Sequence, residues 1–293
     1  MASKATQYLH NRIAIAFDFD DTLAPDTFAG LINAFEFDED TFRKERYEPL
    51  KENGWDAIPA RFFSLLEGAK DKNKDNDTEK RLSQAYLKQY GENIQLFDGV
   101  SDLFDRLTQR VRDISPDMEL EFYIVSSGLV DIVKNTSIAS HFKAIWGCEL
   151  HFGEDGEAVW IKRIVTNPDK VRYLYYLSKG IDSEPEEDLL FVYQDVPYRD
   201  LHVPLDQVIY VGDGTSDLPC FRLINQANGI PIAVYPKGTA RDWAQDYDVS
   251  ASQRVAALAE ADYCEGSVLM QALTLAVESI AKKIKIQQLG DRV

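Results

Sequence analysis

Four short apolar runs separated by amphipathic stretches constrain the fold of this chain most. They are residues 13–19 (IAIAFDF), 120–128 (LEFYIVSSG), 206–214 (DQVIYVGDG) and 230–235 (IPIAVY). Runs of this length, rich in β-branched and aromatic residues, are typical of strands buried on both faces of a sheet. Because they alternate with segments of helical periodicity, the sequence predicts an α/β fold with a Rossmann-like, doubly wound parallel sheet.

A different pattern occupies residues 24–97, between the first two predicted strands. Aromatic side chains recur there at helical spacing among many charged residues. We predict a small helical cap domain, residues 24–97, inserted into a core formed by residues 1–23 and 98–293. Most of the aromatic residues are expected to form the core of the cap itself.

Several further elements follow from periodicity and turn chemistry. Residues 69–80 are polar throughout and are predicted to be a loop or an exposed helix end, and residues 181–190 an acidic loop. Predicted helices cover residues 96–111, 170–180 and 267–284, with Gly180 ending the second, and residues 147–161 are predicted to form a β-hairpin.

The composition excludes several classes of partner. A formal net charge of -17 disfavours binding to a nucleic-acid backbone. The first residues lack the apolar region of a signal peptide, and no stretch approaches the ~18 apolar residues of a membrane span, so we expect a cytoplasmic protein.

The three cysteines, Cys148, Cys220 and Cys264, are widely spaced and are predicted to be core residues in a reducing compartment. The oligomeric state is not indicated.

Acidic residues follow two of the predicted strands. Asp18 and Asp20 are two residues apart at the end of the first strand, so their side chains project to the same side. Two adjacent carboxylates repel each other unless they share a cation or a proton. A second group, residues 212–217 (GDGTSD), adds Asp213 and Asp217. Hard oxygen ligands without a His or Cys cluster favour Mg²⁺, for which these four aspartates are the candidate ligands.

An acidic protein that handles phosphate needs local cations and N–H donors. Ser126, Ser127 and Gly128 follow the second strand and supply hydroxyl and backbone groups for phosphate oxygens, although Ser126 alone is equally explained as a helix cap. Lys170 begins a predicted helix and is the preferred cation, with Lys162 as its alternative.

The order and context of four motifs resemble the haloacid dehalogenase (HAD) superfamily, in the branch similar to phosphoserine phosphatases. The motifs are FDFDDT (17–22), IVSSG (124–128), the Lys170 region and VGDGTSD (211–217), and the resemblance spans nearly the whole chain. It implies that Asp18 is a nucleophile forming an aspartyl-phosphate and Asp20 the general acid and base. It further implies phosphate binding by Thr22, Ser126, Ser127, Gly128 and Lys170, and Mg²⁺ binding by Asp18, the Asp20 carbonyl, Asp213 and Asp217, the last directly or through water.

The expected function is therefore Mg²⁺-dependent hydrolysis of a small phosphorylated metabolite. The alternatives are a phosphotransferase or phosphomutase on the same core, or a catalytically silent protein that binds phosphate or Mg²⁺. Phosphoserine phosphatases place a Glu soon after the first motif and an Arg in the cap. Here the nearest acid after the motif is Asp26, and Arg61 is a possible match to the Arg that no surrounding motif supports. In the segment 191–205, Tyr198 and Arg199 either reach a substrate or belong to a loop covering the sheet edge.

Overall fold

Seven strands form one sheet in the order β4-β3-β2-β1-β5-β6-β7. The structure, a computed structural model, describes residues 10–73, 81–182, 194–238 and 255–290. All neighbouring strands are parallel except β3 and β4, which are antiparallel. The strands are β1 (Arg12–Phe17), β2 (Glu119–Leu129), β3 (Phe142–Phe152), β4 (Ala158–Arg163), β5 (Val208–Gly212), β6 (Ile230–Tyr235) and β7 (Ala257–Glu260).

Helices cover both faces of this sheet and fill the interval between β1 and β2. The described α-helices are α1 (Thr27–Ala34), α2 (Glu39–Phe42), α3 (Glu48–Glu52), α4 (Ala57–Asn73), α5 (Gln84–Asn93), α6 (Val100–Ile114), α7 (Val130–Val133), α8 (Lys170–Lys179), α9 (Leu218–Gln226) and α10 (Val268–Gly290). Helices α1 to α5 lie in the stretch where the sequence predicts a helical insertion. Among the described helices, none is long and apolar enough to cross a membrane.

The central strand shows why the sheet is doubly wound. Ile13, Ile15 and Phe17 of β1 pack into one apolar layer with α6 and α10, whereas Ala14 and Ala16 face a second layer that includes α8 and α9. All five side chains are buried, because side chains alternate along a strand and both faces are covered. The predicted fold class, an α/β doubly wound parallel sheet with helical cap, is confirmed.

The β3–β4 hairpin forms one edge of the sheet and contacts the helical insertion. Ala158 N–H donates to the Leu82 carbonyl across 2.8 Å, and Gln84 N–H donates to the Gly156 carbonyl across 2.9 Å. The Trp160 ring lies 6.1 Å, centroid to centroid, from the ring of Phe63 on α4. The predicted hairpin is present, and it joins the insertion to the edge of the sheet.

Several boundaries differ from the predictions. The helix predicted at 96–111 begins only at Val100, because Gly99 adopts a left-handed φ of 81°. Gly180 ends α8 with a φ of 74°, as predicted. Strand β7 was not predicted, since four residues give too little periodicity. Residues 74–80 and 183–190 of the two predicted loops lie outside the described residues.

One prediction about the cysteines is wrong. Cys148 and Cys220 are buried, whereas Cys264 is exposed. Cys264 lies in the turn before α10, and its N–H donates to Asp262 Oδ1 across 2.8 Å. The apolar residues that follow Cys264 belong to α10, and the side chain of Cys264 itself lies outside the core.

Candidate active site

A cleft of about 600 Å³ opens where the carboxyl ends of β1, β2 and β5 meet the helical insertion. Parallel pairing brings these strand ends together, and the Asp18 N–H donates to the Val211 carbonyl across 2.8 Å. The lining residues are Asp18, Asp20, Asp21, Asp26, Asp56, Ala57, Ile58, Arg61, Ser126, Ser127, Thr166, Asn167, Pro168, Lys170, Asp213, Gly214 and Ser216.

Lys170 lies at the base of the cleft and joins two of the aspartates. Its Nζ is 2.7 Å from Asp18 Oδ2 and 2.8 Å from Asp217 Oδ1, and the lysine is fully buried. Burial opposes the charged ammonium, but the two carboxylates outweigh it and raise the pKa of Lys170 above its ordinary value. Lys162, the alternative cation, is exposed and paired with Glu149 outside the cleft.

Three carboxylates converge beside this lysine. One oxygen from each of Asp18, Asp213 and Asp217 lies within 4.8 Å of the other two. Burial raises the pKa of Asp18 to about 7, against the lowering influence of Lys170. Burial and the neighbouring carboxylates of Asp217 and Asp18 raise the pKa of Asp213 well above its ordinary value. An all-oxygen set with such excess negative charge fits a hard divalent cation such as Mg²⁺.

Asp20 lies apart from that cluster, on the side of the helical insertion. Its Oδ1 accepts a hydrogen bond from the Thr27 N–H across 2.8 Å. Burial, followed by repulsion from Asp26, raises the pKa of Asp20 to about 6. A Cβ at Gly128 would approach Asp20 Oδ2 to 2.4 Å, so the carboxylate occupies space that only glycine leaves open. A carboxyl group with this pKa can both donate and accept a proton near neutral pH.

The predicted phosphate-binding residues separate into two groups. Ser126 and Ser127 line the cleft, at the end of β2 itself where the sequence suggested a loop or helix start. The Ser126 hydroxyl accepts from the Gly128 N–H across 2.9 Å, and the buried Ser127 hydroxyl has no hydrogen-bond partner among the described residues. Thr22 is fully buried and does not line the cleft. Gly128 contributes by making room for Asp20.

The helical insertion contributes another wall through the first two turns of α4. Arg61 lines the cleft there, and its guanidinium carbon lies 5.1 Å from the centroid of the Phe28 ring. The buried Nε of Arg61 has no partner among the described residues. Asp26 also lines the cleft, but its carboxylate caps α1 by accepting from the Phe28 N–H across 2.8 Å. Arg61 is thus the better placed of the two for contact with a substrate.

Some residues near the site escaped sequence reasoning. Asp21 adopts a φ of 54° and faces the cleft, and burial raises its pKa to about 6. The position of Asp21 inside the motif FDFDDT could have indicated a residue at the site, but its left-handed backbone conformation could not be predicted from the sequence. Asp56 and Asn167 line the cleft from loops without a motif. Tyr198, by contrast, is not among the cleft residues, and its hydroxyl donates to Asp206 across 3.2 Å.

The raised pKa values predict an inverted pH dependence of stability in metal-free protein. Asp18, Asp20 and Asp21 have pKa values of about 6 to 7 in the folded protein, whereas an unfolded carboxyl group has a pKa of about 4. At a pH between these values the folded state therefore binds more protons than the unfolded state. The free energy of unfolding therefore rises as the pH falls from 8 to 5.5. His10, whose pKa is lowered mainly by burial, opposes this trend by a single group.

Thermal unfolding in EDTA at pH 5.5, 6.5 and 8 measures this dependence, with a higher Tm expected at pH 5.5. Added Mg²⁺ is expected to raise Tm more at pH 8 than at pH 5.5, because protons and the cation compete for the same carboxylates. A metal-free Tm that decreases between pH 8 and 5.5 would contradict the prediction.

Comparisons with known proteins agree on the architecture. No family model matches the chain. A protein from Borreliella burgdorferi, described only as uncharacterized, is 24% identical over 241 residues, covering 73% of this chain and 79% of that protein.

Solved structures give the clearest similarity. A probable phosphoserine phosphatase from Vibrio cholerae aligns with a TM-score of 0.56 at 14% identity, over 94% of this chain and 67% of that one. A phosphoserine phosphatase in its apo form aligns with a TM-score of 0.55 at 15% identity, over 89% of this chain and 98% of that one. A HAD family hydrolase from Salmonella enterica serovar Typhi aligns at 0.52 and 15% identity, over 79% of this chain and only 65% of that one. Together with the strand order and the strand-end cleft, these similarities show that the chain has the fold of the HAD-type hydrolases and phosphoserine phosphatases.

Proposed function

We propose that this protein is a Mg²⁺-dependent phosphomonoesterase that acts on a small phosphorylated metabolite through an aspartyl-phosphate at Asp18. One observation carries the proposal. The fully buried Lys170 forms an ion pair with Asp18, which belongs to a cluster of three carboxylates at the floor of the cleft. Such a group of charges is costly to bury and would be retained for anion chemistry. The fold similarity supports the same reaction class.

In this mechanism Asp18 attacks the phosphorus atom of the substrate. The bond from Asp18 to phosphorus forms as the bond to the leaving oxygen breaks, and Asp20 donates its proton to that oxygen. Asp20, now a carboxylate, takes a proton from water, and the resulting oxygen nucleophile attacks phosphorus. The acyl-phosphate bond breaks, orthophosphate is released, and Asp18 and protonated Asp20 are regenerated.

The remaining residues stabilise charge during both steps. The Lys170 ammonium lies beside Asp18 and neutralises phosphoryl oxygens, and the hydroxyls of Ser126 and Ser127 line the same cleft as donors. Mg²⁺, held by Asp18, Asp213, the Asp20 carbonyl and Asp217 directly or through water, would supply the positive charge that draws a phosphate dianion into an acidic site. The helical insertion limits access of water.

The cleft and the overall charge indicate the class of substrate. A volume of about 600 Å³ suits a phosphorylated metabolite, and a chain with net charge -17 is poorly suited to nucleic acid. The proposed protein works in the cytoplasm on a free small molecule. Phosphoserine itself is not specifically favoured, because the acid nearest the first motif, Asp26, is used to cap α1.

The test is an assay of purified protein with Mg²⁺ against an aryl phosphate and a panel of metabolite phosphates, with and without EDTA. Metal-dependent release of orthophosphate supports the proposal. Transfer of phosphate to added acceptor alcohols in preference to water would instead identify a phosphotransferase. Binding of Mg²⁺ without turnover of any panel member would indicate a catalytically silent binding protein.

Arg61 provides a prediction about substrate selection. Arg61→Met keeps most of the aliphatic length but removes the guanidinium from the cap wall of the cleft. We expect kcat/KM for the best metabolite substrate to fall about 10- to 150-fold, because a charge-assisted hydrogen bond contributes about 1.5 to 3 kcal/mol. Turnover of a plain aryl phosphate should change much less, since that substrate has no polar group apart from the phosphoryl group itself.

The matched control is Arg46→Met. Arg46 lies in the same insertion and also covers a phenylalanine ring, that of Phe37, at 5.5 Å, but it does not line the cleft. Equal losses for both substrates in Arg61→Met, or a similar loss in Arg46→Met, would contradict a role for Arg61 in selection.

A further inference from the structure

The hydroxyl of Tyr210 contacts the site but takes no part in the chemistry proposed above. Tyr210 lies in β5 and is fully buried. Its O–H donates to Asp217 Oδ1 across 2.5 Å. Its ring packs edge to face against Phe221 of α9, with centroids 5.7 Å apart. Packing therefore fixes the ring and directs the hydroxyl at one carboxylate oxygen.

The Asp217 carboxylate is surrounded by donors. Oδ1 accepts from Tyr210 and from Lys170 Nζ at 2.8 Å. Oδ2 accepts from the Asp213 N–H at 3.0 Å, the Gly214 N–H at 3.5 Å and the Ser216 hydroxyl at 3.4 Å. The three nearest donors, at 3.0 Å or less, fill three of the about four lone-pair sites that a carboxylate offers. Asp217 is thus held mainly as an acceptor for protein donors.

Backbone geometry keeps the carboxylate in this place. A Cβ at residue 212 would lie 2.3 Å from Asp217 Oδ2, so Gly212 leaves the space that the carboxylate fills. Its orientation then depends on the donors, and Tyr210 is the donor to Oδ1 that does not belong to the proposed catalytic groups.

Asp217 and Asp18 compete for the same ammonium. Lys170 Nζ is almost equidistant from the two, at 2.8 Å and 2.7 Å. A hydrogen bond donated to Asp217 Oδ1 reduces the negative charge that this oxygen presents to the lysine. We propose that Tyr210 is a positioning residue, whose hydroxyl holds Lys170 centred between Asp217 and Asp18. The consequence for turnover rests on the proposed function, in which Lys170 neutralises the phosphoryl group on Asp18.

Tyr210→Phe removes this one hydroxyl and keeps the buried ring. We expect kcat for an aryl phosphate to fall about 10-fold, as for the loss of one hydrogen bond to a charged group, while KM stays within about two-fold. The control is Tyr123→Phe. Tyr123 is also buried, in β2 of the same sheet, and its hydroxyl donates to a carboxylate, Glu121, across 2.6 Å. Neither residue lines the cleft.

Both variants lose a buried hydrogen bond and are expected to lower Tm, but only Tyr210→Phe should lower kcat. An equal loss of kcat in Tyr123→Phe would show that stability alone is responsible and would overturn the proposal. So would a Tyr210→Phe enzyme with the turnover of the wild type.

A second measurement does not depend on turnover. In protein labelled with ¹⁵N-lysine, the fully buried Lys170 ammonium is expected to give a slowly exchanging NMR signal, identified by its loss in Lys170→Arg. Tyr210→Phe should move this signal and Tyr123→Phe should not. An unmoved signal in Tyr210→Phe, or its absence in the wild type, would overturn the positioning role. If the wild type hydrolyses no phosphoester, the proposed function fails, and the lysine signal still decides whether Tyr210 positions Lys170.

Discussion

Asp18→Asn is expected to lower kcat by at least about four orders of magnitude, because an amide oxygen is a poor nucleophile toward phosphorus. The same change is expected to raise the Tm of the metal-free protein at pH 8. Burial and the nearby carboxylates disfavour the ionised form of Asp18, and an amide removes that cost while filling the same space. Phosphate release assays and thermal unfolding measure the two effects.

The opposite signs separate a lost catalytic group from a damaged fold. A variant that loses activity and stability together would indicate misfolding of the site. A variant that retains turnover would show that Asp18 is not the nucleophile. When turnover is stopped with acid, labelled phosphate from the substrate should remain covalently bound to the wild-type protein. No such label is expected on Asp18→Asn. The EDTA-treated wild type serves as the metal-free reference in both measurements.

Lys170→Met is expected to have the second largest effect, and it should lower both turnover and stability. Loss of a preorganised charge beside the transferred group costs about 10² to 10³-fold in kcat. The variant also leaves Asp18 and Asp217 buried without their shared cation. Breaking a buried ion pair on one side costs about 3 to 5 kcal/mol. This loss should be smaller at pH 5.5 than at pH 8, since the raised pKa of Asp18 allows protonation to remove its charge.

Lys162→Met is the matched control for that experiment. Lys162 is exposed and its partner, Glu149, also pairs with Arg163, so an exposed ion pair worth less than about 1 kcal/mol is lost. We expect wild-type turnover and a Tm close to that of the wild type. A similar decrease in kcat for both lysine variants would contradict the assignment of the cleft cation to Lys170.

Most strands and the aspartates that follow them could be predicted, because both depend on local sequence pattern. Asp18 and Asp20 follow one apolar run and Asp213 follows another. Since parallel strands align their carboxyl ends, these aspartates were expected at the same end of the sheet. Lys170 could be preferred over Lys162 from its place at a helix start. Its burial between two carboxylates could not be predicted, because that depends on where α8 packs against β1 and β5.

Contacts made through the interior were not predictable. Tyr210 appears in the sequence as one more aromatic residue of a buried strand, and only the path of the chain after Gly212 brings Asp217 back to its hydroxyl. Thr22 is likewise placed by contacts that the sequence did not indicate. Its hydroxyl type and its position in the motif suggested phosphate contact, but the turn after β1 buries it, and its carbonyl accepts a hydrogen bond from Tyr263 of a distant segment.

The contact between the β3–β4 hairpin and residues 82–84 limits how the helical insertion can move relative to the sheet. A lid joined to a body only by the two chain crossings at its ends can rotate about the line between them. Here hydrogen bonds at Leu82 and Gln84 attach the insertion to the hairpin as well. Movement of the helical insertion away from the sheet therefore requires the hairpin to travel with it or these bonds to break.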